Sequence, residues 1–371
     1  MKVLVISADP RSLVQFRRDL MVKMKEKGHE VMALSPINDE RGDSSCLEKE
    51  GIKVNFVDID RTGLNPFHDL KAFYEIFTIV KKFKPDVVFS FTIKPVIYGS
   101  LASFFGGAKR IYSLIPGVGH VFLNKSWGGK VLRFLVSRMY QISLITNSKV
   151  FFQNNDDLDL FISKRILKRK KAFKVNGSGV NTDEFKRNET LPKRPVFLLA
   201  GRIIKEKGIK EYVEAVRVLK KNKGYSFKAF LVGGFDKNPT SFNEKSLKDL
   251  NFDGVIDYLG DQSDMKSVFE KSSVYVLPSY REGTPRSTLE AMSMMMPVVT
   301  TDVPGCRETV KEGVNGFLVG LKSVSDLAKS MEKFIINSEL ISIMGSESLK
   351  IVRDKFDVRK VNQVYLEEMG L

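Results

Sequence analysis

The sequence predicts an α/β protein of two domains, each built on a doubly wound parallel sheet. Three observations carry that expectation. Short apolar runs alternate with stretches of helical periodicity, the rhythm of a parallel sheet with helical crossovers, and the rhythm begins at Lys2 and again at Val196. The chain has 371 residues, more than one hydrophobic core usually organises. Between the two runs, Gly177 to Pro195 is polar and turn-rich, a suitable place to change domain.

In order, the first half reads as the strand KVLVIS, a helix through Lys27, the strands EVMALS and IKVNFVDI, and a helix through Phe83. DVVFSF, another helix, RIYSLI and ISLITN follow as further sheet segments with their crossovers. The second half supplies VFLLA, KAFLVG, VIDYLG, VYVLP and PVVTT as strands. After VFLLA, the apolar positions Ile209, Tyr212, Val213, Val216 and Leu219 recur at helical spacing. We place the domains at 1–190 and 191–354, with a last helix over about 355–371.

Chemistry concentrates between Pro278 and Thr301, PSYREGTPRSTLEAMSMMMPVVTT, where Glu282 and Glu290 stand eight positions apart across a strand end, a loop and a helix. Thr284 as N-cap and Pro285 at the first helical position are expected to start that helix. The amides of Arg286 to Thr288, with the positive end of the helix dipole behind them, then suit a phosphate, and the two carboxylates accept hydrogen bonds from sugar hydroxyls. Arg202 and Lys207 leave the carboxyl end of the VFLLA strand, where open α/β sheets bind ligands, and a planar guanidinium and a point-charge ammonium both suit a diphosphate. Together these groups fit a nucleotide sugar.

Both segments resemble the family 4 retaining glycosyltransferases, the second through its two glutamates and the first through AGRIIKEKG. The resemblance covers nearly the whole chain. It implies the GT-B fold, two Rossmann-like domains facing a cleft, with the last helix crossing back to the first domain. It also implies that Glu282 touches the donor hexose, Glu290 the ribose, and Arg202 and Lys207 the donor diphosphate, with Glu282, Arg202 and Lys207 central to catalysis. Gly283, Thr284, Pro285, Ser287, Thr288 and Leu289, with Gly201 and Leu259, are expected around the donor. One departure is Met294 to Met296, where the family usually carries a glycine. Front-face substitution, in which the departing diphosphate takes the acceptor proton, is the mechanism usually assigned to the family, and it needs no metal or cofactor.

The pieces TIKPVIYGSLA and IPGVGHVF look like those of capsule-type and protein-glycosylation transferases that extend an undecaprenyl-diphosphate-linked sugar. The first domain would then hold the acceptor, with Arg11, Ser12, Arg17 and Lys94 at strand ends and His120 in a glycine-rich loop. A UDP-sugar donor, a polyprenyl-diphosphate-linked glycan acceptor and an anionic membrane surface are the expected partners. A nucleotide-sugar 2-epimerase of the same fold is the alternative, although no acid/base set for the sugar C2 stands out.

Charge and composition bear on location. Hydrophobic residues make up 43% and charged residues 28% of the chain, as in a folded soluble protein. Cys46 and Cys306 form no disulfide framework, and His29, His68 and His120 lack metal-ligand spacing. These features, with an apolar run Val3 to Ala8 too short for a signal peptide, predict a reduced cytosolic setting without a protein metal site. Of the net charge of +16, residues 81–174 contribute 18 cations against 4 anions. FISKRILKRKKAFK, read as a basic helix, and SWGGKVLRFLVSRMYQ both interleave cations with apolar side chains. They suit the inner face of a plasma membrane. A nucleic-acid partner is not expected, because the charge comes without a recognition motif.

Overall fold

The computed structural model describes residues 1–371 except 38–43, 61–64, 120–121, 123–125, 193, 237–239 and 251–253. It resolves into two compact units, Met1–Ser178 with Arg359–Leu371, and Gly179–Val358.

The first unit holds seven parallel strands, β1 (Lys2–Ile6), β2 (Glu30–Ser35), β3 (Lys53–Phe56), β4 (Val87–Phe91), β5 (Arg110–Ile115), β6 (Lys149–Phe152) and β7 (Ala172–Lys174), in the order β3-β2-β1-β4-β5-β6-β7. Strands such as VVFSF in β4 are buried along their whole length, because helices cover both faces of a parallel sheet. The helix Val358–Met369 belongs here: Val361, Tyr365, Leu366 and Met369 are buried against β1 and β4 residues, and the Tyr365 ring lies 5.7 Å from Phe89 and 5.0 Å from Phe151. Each such apolar side chain contributes about 1.5–3 kcal/mol through burial. The C-terminal segment therefore completes the core of the first unit.

The second unit holds six, β8 (Val196–Ala200), β9 (Lys228–Val232), β10 (Asp257–Tyr258), β11 (Val274–Leu277), β12 (Val298–Thr301) and β13 (Gly316–Val319), in the order β10-β9-β8-β11-β12-β13. In the helix Ile209–Arg217 the apolar residues at helical spacing, Ile209, Tyr212, Val213 and Val216, are buried as the periodicity requires. Strand order reverses between β8 and β11, the kind of switch point at whose carboxyl side open parallel sheets bind their ligands. Arg202, Lys207 and Glu282 all sit in those two loops.

Several expectations are corrected. The units divide at Ser178/Gly179, not at 190: Phe185 is buried in the second unit's core, and the Arg187 guanidinium donates to the carbonyls of Phe269, Glu270, Ser272 and Met294. ISLITN is not a strand, because the helix Trp127–Leu144 runs on to bury Ser143 and Leu144, and the strand is KVFF. FISKRILKRKKAFK is not one helix; the helix Asn155–Ser163 ends before Arg165, whose φ of +54° is left-handed, and β7 follows. Met295, in the stretch where the resemblance has glycine, takes φ +58° directly after the helix Arg286–Ser293 and its cap. That is the position where helices usually end on glycine.

Candidate active site

The site begins with two loops locked together. Gly208, at φ +71°, comes so close to the loop after β11 that a Cβ there would stand 2.1 Å from the Pro278 carbonyl oxygen. The Tyr280 amide donates to the Glu206 carbonyl at 2.8 Å, and the Glu282 amide to the Pro304 carbonyl at 3.0 Å. The backbone thus fixes where Lys207 and Glu282 project.

Their side chains meet. Lys207 Nζ lies 2.6 Å from Glu282 Oε1, and both side chains are largely buried. Ser279 Oγ donates to the same carboxylate oxygen. Arg202 is half-exposed and pairs with Asp236 at 2.6 Å. Asp236, in the loop after β9, escaped the sequence reading, although an acid just past the carboxyl end of KAFLV is the available signal. The loop residue Gly201 donates its amide to the Val232 carbonyl, and a Cβ on it would lie 3.3 Å from Lys207 Cε.

The helix Arg286–Ser293 starts one residue later than expected. Pro285, in extended backbone at ψ 113°, occupies the N-cap in place of Thr284. The Thr288 amide donates to the Pro285 carbonyl at 3.1 Å, so of the three amides expected to face a phosphate, those of Arg286 and Ser287 stand at the first two positions of the helix. Ser287 is anchored from below: its hydroxyl lies 2.6 Å from that of Tyr275 on β11, which donates to the Ala200 carbonyl of β8. Leu289 is buried beneath the helix, Gly283 and Thr284 lie in the loop before it, and Leu259 is partly exposed just past β10.

Glu290 accepts from Arg286 Nε at 2.9 Å one helical turn away. Burial pushes its carboxyl above the ordinary value of 4.5, and the Arg286 cation offsets this only in part. A carboxyl raised in the folded state binds its proton more tightly there than in the unfolded chain. Its ionisation therefore costs stability above the unfolded value, increasingly as pH rises through the folded one. Glu290→Gln, which mimics the protonated acid, is expected to raise the melting temperature near neutral pH, with the gain fading below about pH 4. Paired melts across pH check this. A gain that persists in acid would mean that another cause is at work.

In the first unit the expected acceptor residues separate. Arg11 is exposed, and Ser12 donates to the Asp9 carbonyl in the first turn of the helix Pro10–Glu26. Arg17 is no surface cation: it is 1% exposed, donates to Ser178 Oγ at 3.2 Å, and lies 5.3–5.8 Å from the rings of Phe89, Phe91 and Tyr365. Its charge is taken up by π faces within the core, so it is withdrawn from the acceptor set. Lys94 is likewise buried, paired at 2.6 Å with Asp69, which also accepts from Tyr98. A pair that loses one partner leaves a buried charge, so Lys94 is not a ready phosphate ligand. His120 lies outside the described residues.

Among the described residues no cluster of three His, Cys, Asp or Glu side chains could hold a metal. Cys306 lies buried next to Gly305 and the Glu282 loop, and burial pushes its thiol up to about 12, so it is not a nucleophile at neutral pH.

The two parallel-sheet units are those of the GT-B fold, and the family matches make the chain a glycosyltransferase. Residues 180–350 match the glycosyl transferases group 1 family and residues 2–154 the glycosyl transferase 4-like family. The chain belongs to these group 1, family 4-like glycosyltransferases. It is 28% identical over 353 residues to the N,N'-diacetylbacillosaminyl-diphospho-undecaprenol alpha-1,3-N-acetylgalactosaminyltransferase of Campylobacter jejuni, covering 92% of this chain and 91% of that protein. It is 26% identical to the capsular polysaccharide biosynthesis glycosyltransferase CapM of Staphylococcus aureus, covering 89% and 91%. Among solved structures, a glycosyltransferase from Rickettsia africae superposes with a TM-score of 0.78 at 21% identity, over 99% of this chain and 97% of that one. Anabaena HepE in complex with UDP and glucose gives 0.77 at 17%, over 100% and 99%.

Proposed function

We propose that this glycosyltransferase moves a hexose or N-acetylhexosamine from a UDP-sugar to an undecaprenyl-diphosphate-linked saccharide at the inner membrane face, with retention of configuration. The observation that carries the donor half is the Lys207–Glu282 pair at the switch point between β8 and β11, beside the start of a helix. In this reading Lys207 is the cation for phosphate and Glu282 the acceptor for sugar hydroxyls. The acceptor half is supported by the relatives named for diphospho-undecaprenol substrates and capsule synthesis.

In this reading Lys207, Arg202 and the amides of Arg286 and Ser287 take the negative charge that grows on the departing UDP. Glu282 orients the hexose and Glu290 holds the ribose. The acceptor hydroxyl attacks from the face that UDP leaves, the C1–O bond to phosphate breaks as the new glycosidic bond forms, and the proton passes to the leaving phosphate oxygen. Arg11 and Ser12 stay in the acceptor set. No cofactor is invoked, because the cations carry the leaving-group charge.

A panel of UDP-sugars, incubated with and without a polyprenyl-diphosphate-linked saccharide, tests the proposal through free UDP and product mass. The expected result is acceptor-dependent UDP release with one donor and an α-linked product by NMR. Interconversion of UDP-sugars without acceptor would instead support the epimerase reading, which the comparisons do not favour. A β-linked product would overturn retention.

A further inference from the structure

The helix Trp127–Leu144 is apolar on two faces. Its inner face buries Val136, Tyr140 and Leu144 in the core that also contains Phe152 and Phe161. Its outer face carries a second stripe, Trp127, Val131, Phe134, Leu135 and Ile142, exposed by 81, 42, 58, 52 and 59%. These positions recur at helical spacing, so they form one strip. The helix Ser100–Phe105, which contacts this helix, also carries exposed aromatic side chains, Phe104 and Phe105.

A solvated surface helix places charge on its outer side. Contiguous large apolar side chains there mark a surface that something covers. The charge around the strip decides what. No acidic residue occurs between Asp86 and Asp156. Lys130 and Arg138 are exposed along the strip, and the Arg138 guanidinium lies 5.1 Å from the Phe134 ring and donates to Gln141 Oε1; long cationic side chains of this kind can lay their stems on apolar surface while the head meets a phosphate. A second copy of the chain would bring like charges together, whereas an anionic lipid surface complements them.

We propose that this helix lies in the interface of an anionic bilayer, with Trp127, Val131, Phe134, Leu135 and Ile142 among the acyl chains and Lys130 and Arg138 at the phosphates. The inference rests on the lipid-linked acceptor reading and adds the surface by which the enzyme reaches its acceptor. The helix lies on the membrane and does not cross it: among the described residues no helix is long and apolar enough to span. The basic segment around Lys168 plays a lesser part. Its apolar neighbours Phe161, Ile166 and Leu167 are buried, so its exposed cations can supply only attraction that salt screens.

Trp127 is the sole tryptophan, so its fluorescence in the unmodified chain reports on the strip directly. Vesicles of phosphatidylglycerol and phosphatidylcholine should shift its emission to the blue, brominated acyl chains should quench it, and part of the flotation should survive high salt. Phe134→Ser with Leu135→Ser should lower vesicle partitioning about tenfold or more, and Lys168→Gln with Lys170→Gln should lower it less. Absence of flotation, or flotation with Trp127 emission unchanged, would overturn the proposal. So would emission already blue without vesicles in a chain that sediments as a dimer, since a second copy then covers the strip. Transfer to an acceptor with a short, water-soluble prenyl chain should be untouched in the serine variant. If the unmodified chain transfers no sugar yet docks through Trp127, the function reading fails and the docking surface stands.

Discussion

Lys207→Met is expected to lower kcat/KM for the UDP-sugar by one to two decades and to weaken inhibition by UDP to a similar degree. A charge-assisted contact to a diphosphate is worth about 1.5–3 kcal/mol. Lys207 is mostly buried and held by Glu282 at 2.6 Å, so it is oriented before substrate arrives. Glu282→Gln should separate the two roles: it keeps shape and one acceptor, should lower kcat, and should leave UDP inhibition close to that of the parent. The double variant then shows whether the pair acts as a unit. If Lys207 serves only to hold Glu282, adding Lys207→Met to Glu282→Gln costs little more. If it also holds the diphosphate, the loss of UDP affinity persists in the Glu282→Gln background. Unchanged turnover in Lys207→Met, with melting near that of the parent, would remove Lys207 from the site.

The parts of this site that could be read in the sequence are those set by neighbours in the chain. The helix Ile209–Arg217 buries the residues that its spacing marks, and VFLLA and VYVL form the paired strands whose ends carry Lys207 and Glu282. What escaped depends on residues far apart in sequence. Arg17 looks like a loop cation until rings from β4 and from Tyr365 close around it. Lys94 looks free until Asp69, on a helix that ends before β4, is folded against it. ISLITN has the β-branched composition of a strand, and only the burial of Ser143 and Leu144 keeps it helical to that point. The edge strand β7, three residues long, is too short for periodicity to show. The helix after Glu282 starts one residue later than its sequence suggests, because Pro285 fixes φ for a helix but its ψ of 113° keeps it outside one.

Gly208→Ala is expected to damage the fold and the site together. At φ +71° any side chain costs roughly 1 kcal/mol of backbone strain. Here the new Cβ would also stand 2.1 Å from the Pro278 carbonyl oxygen and 2.8 Å from its carbonyl carbon, which are backbone atoms with no rotamer to escape into. The loops after β8 and β11 would have to part, carrying Lys207 away from Glu282. Gly224→Ala is the matched control in the same unit, with the same φ of +71° and nothing within 4 Å of its Cβ. The control should lose roughly 1 kcal/mol or less, about 2–4 °C of melting temperature, and keep its turnover. Gly208→Ala should lose roughly three times as much stability and at least a decade of kcat/KM, measured at a temperature where it remains folded. If the two variants melt and turn over alike, the loops are not locked through Gly208, and the geometry that brings Lys207 to Glu282 must be held by something else.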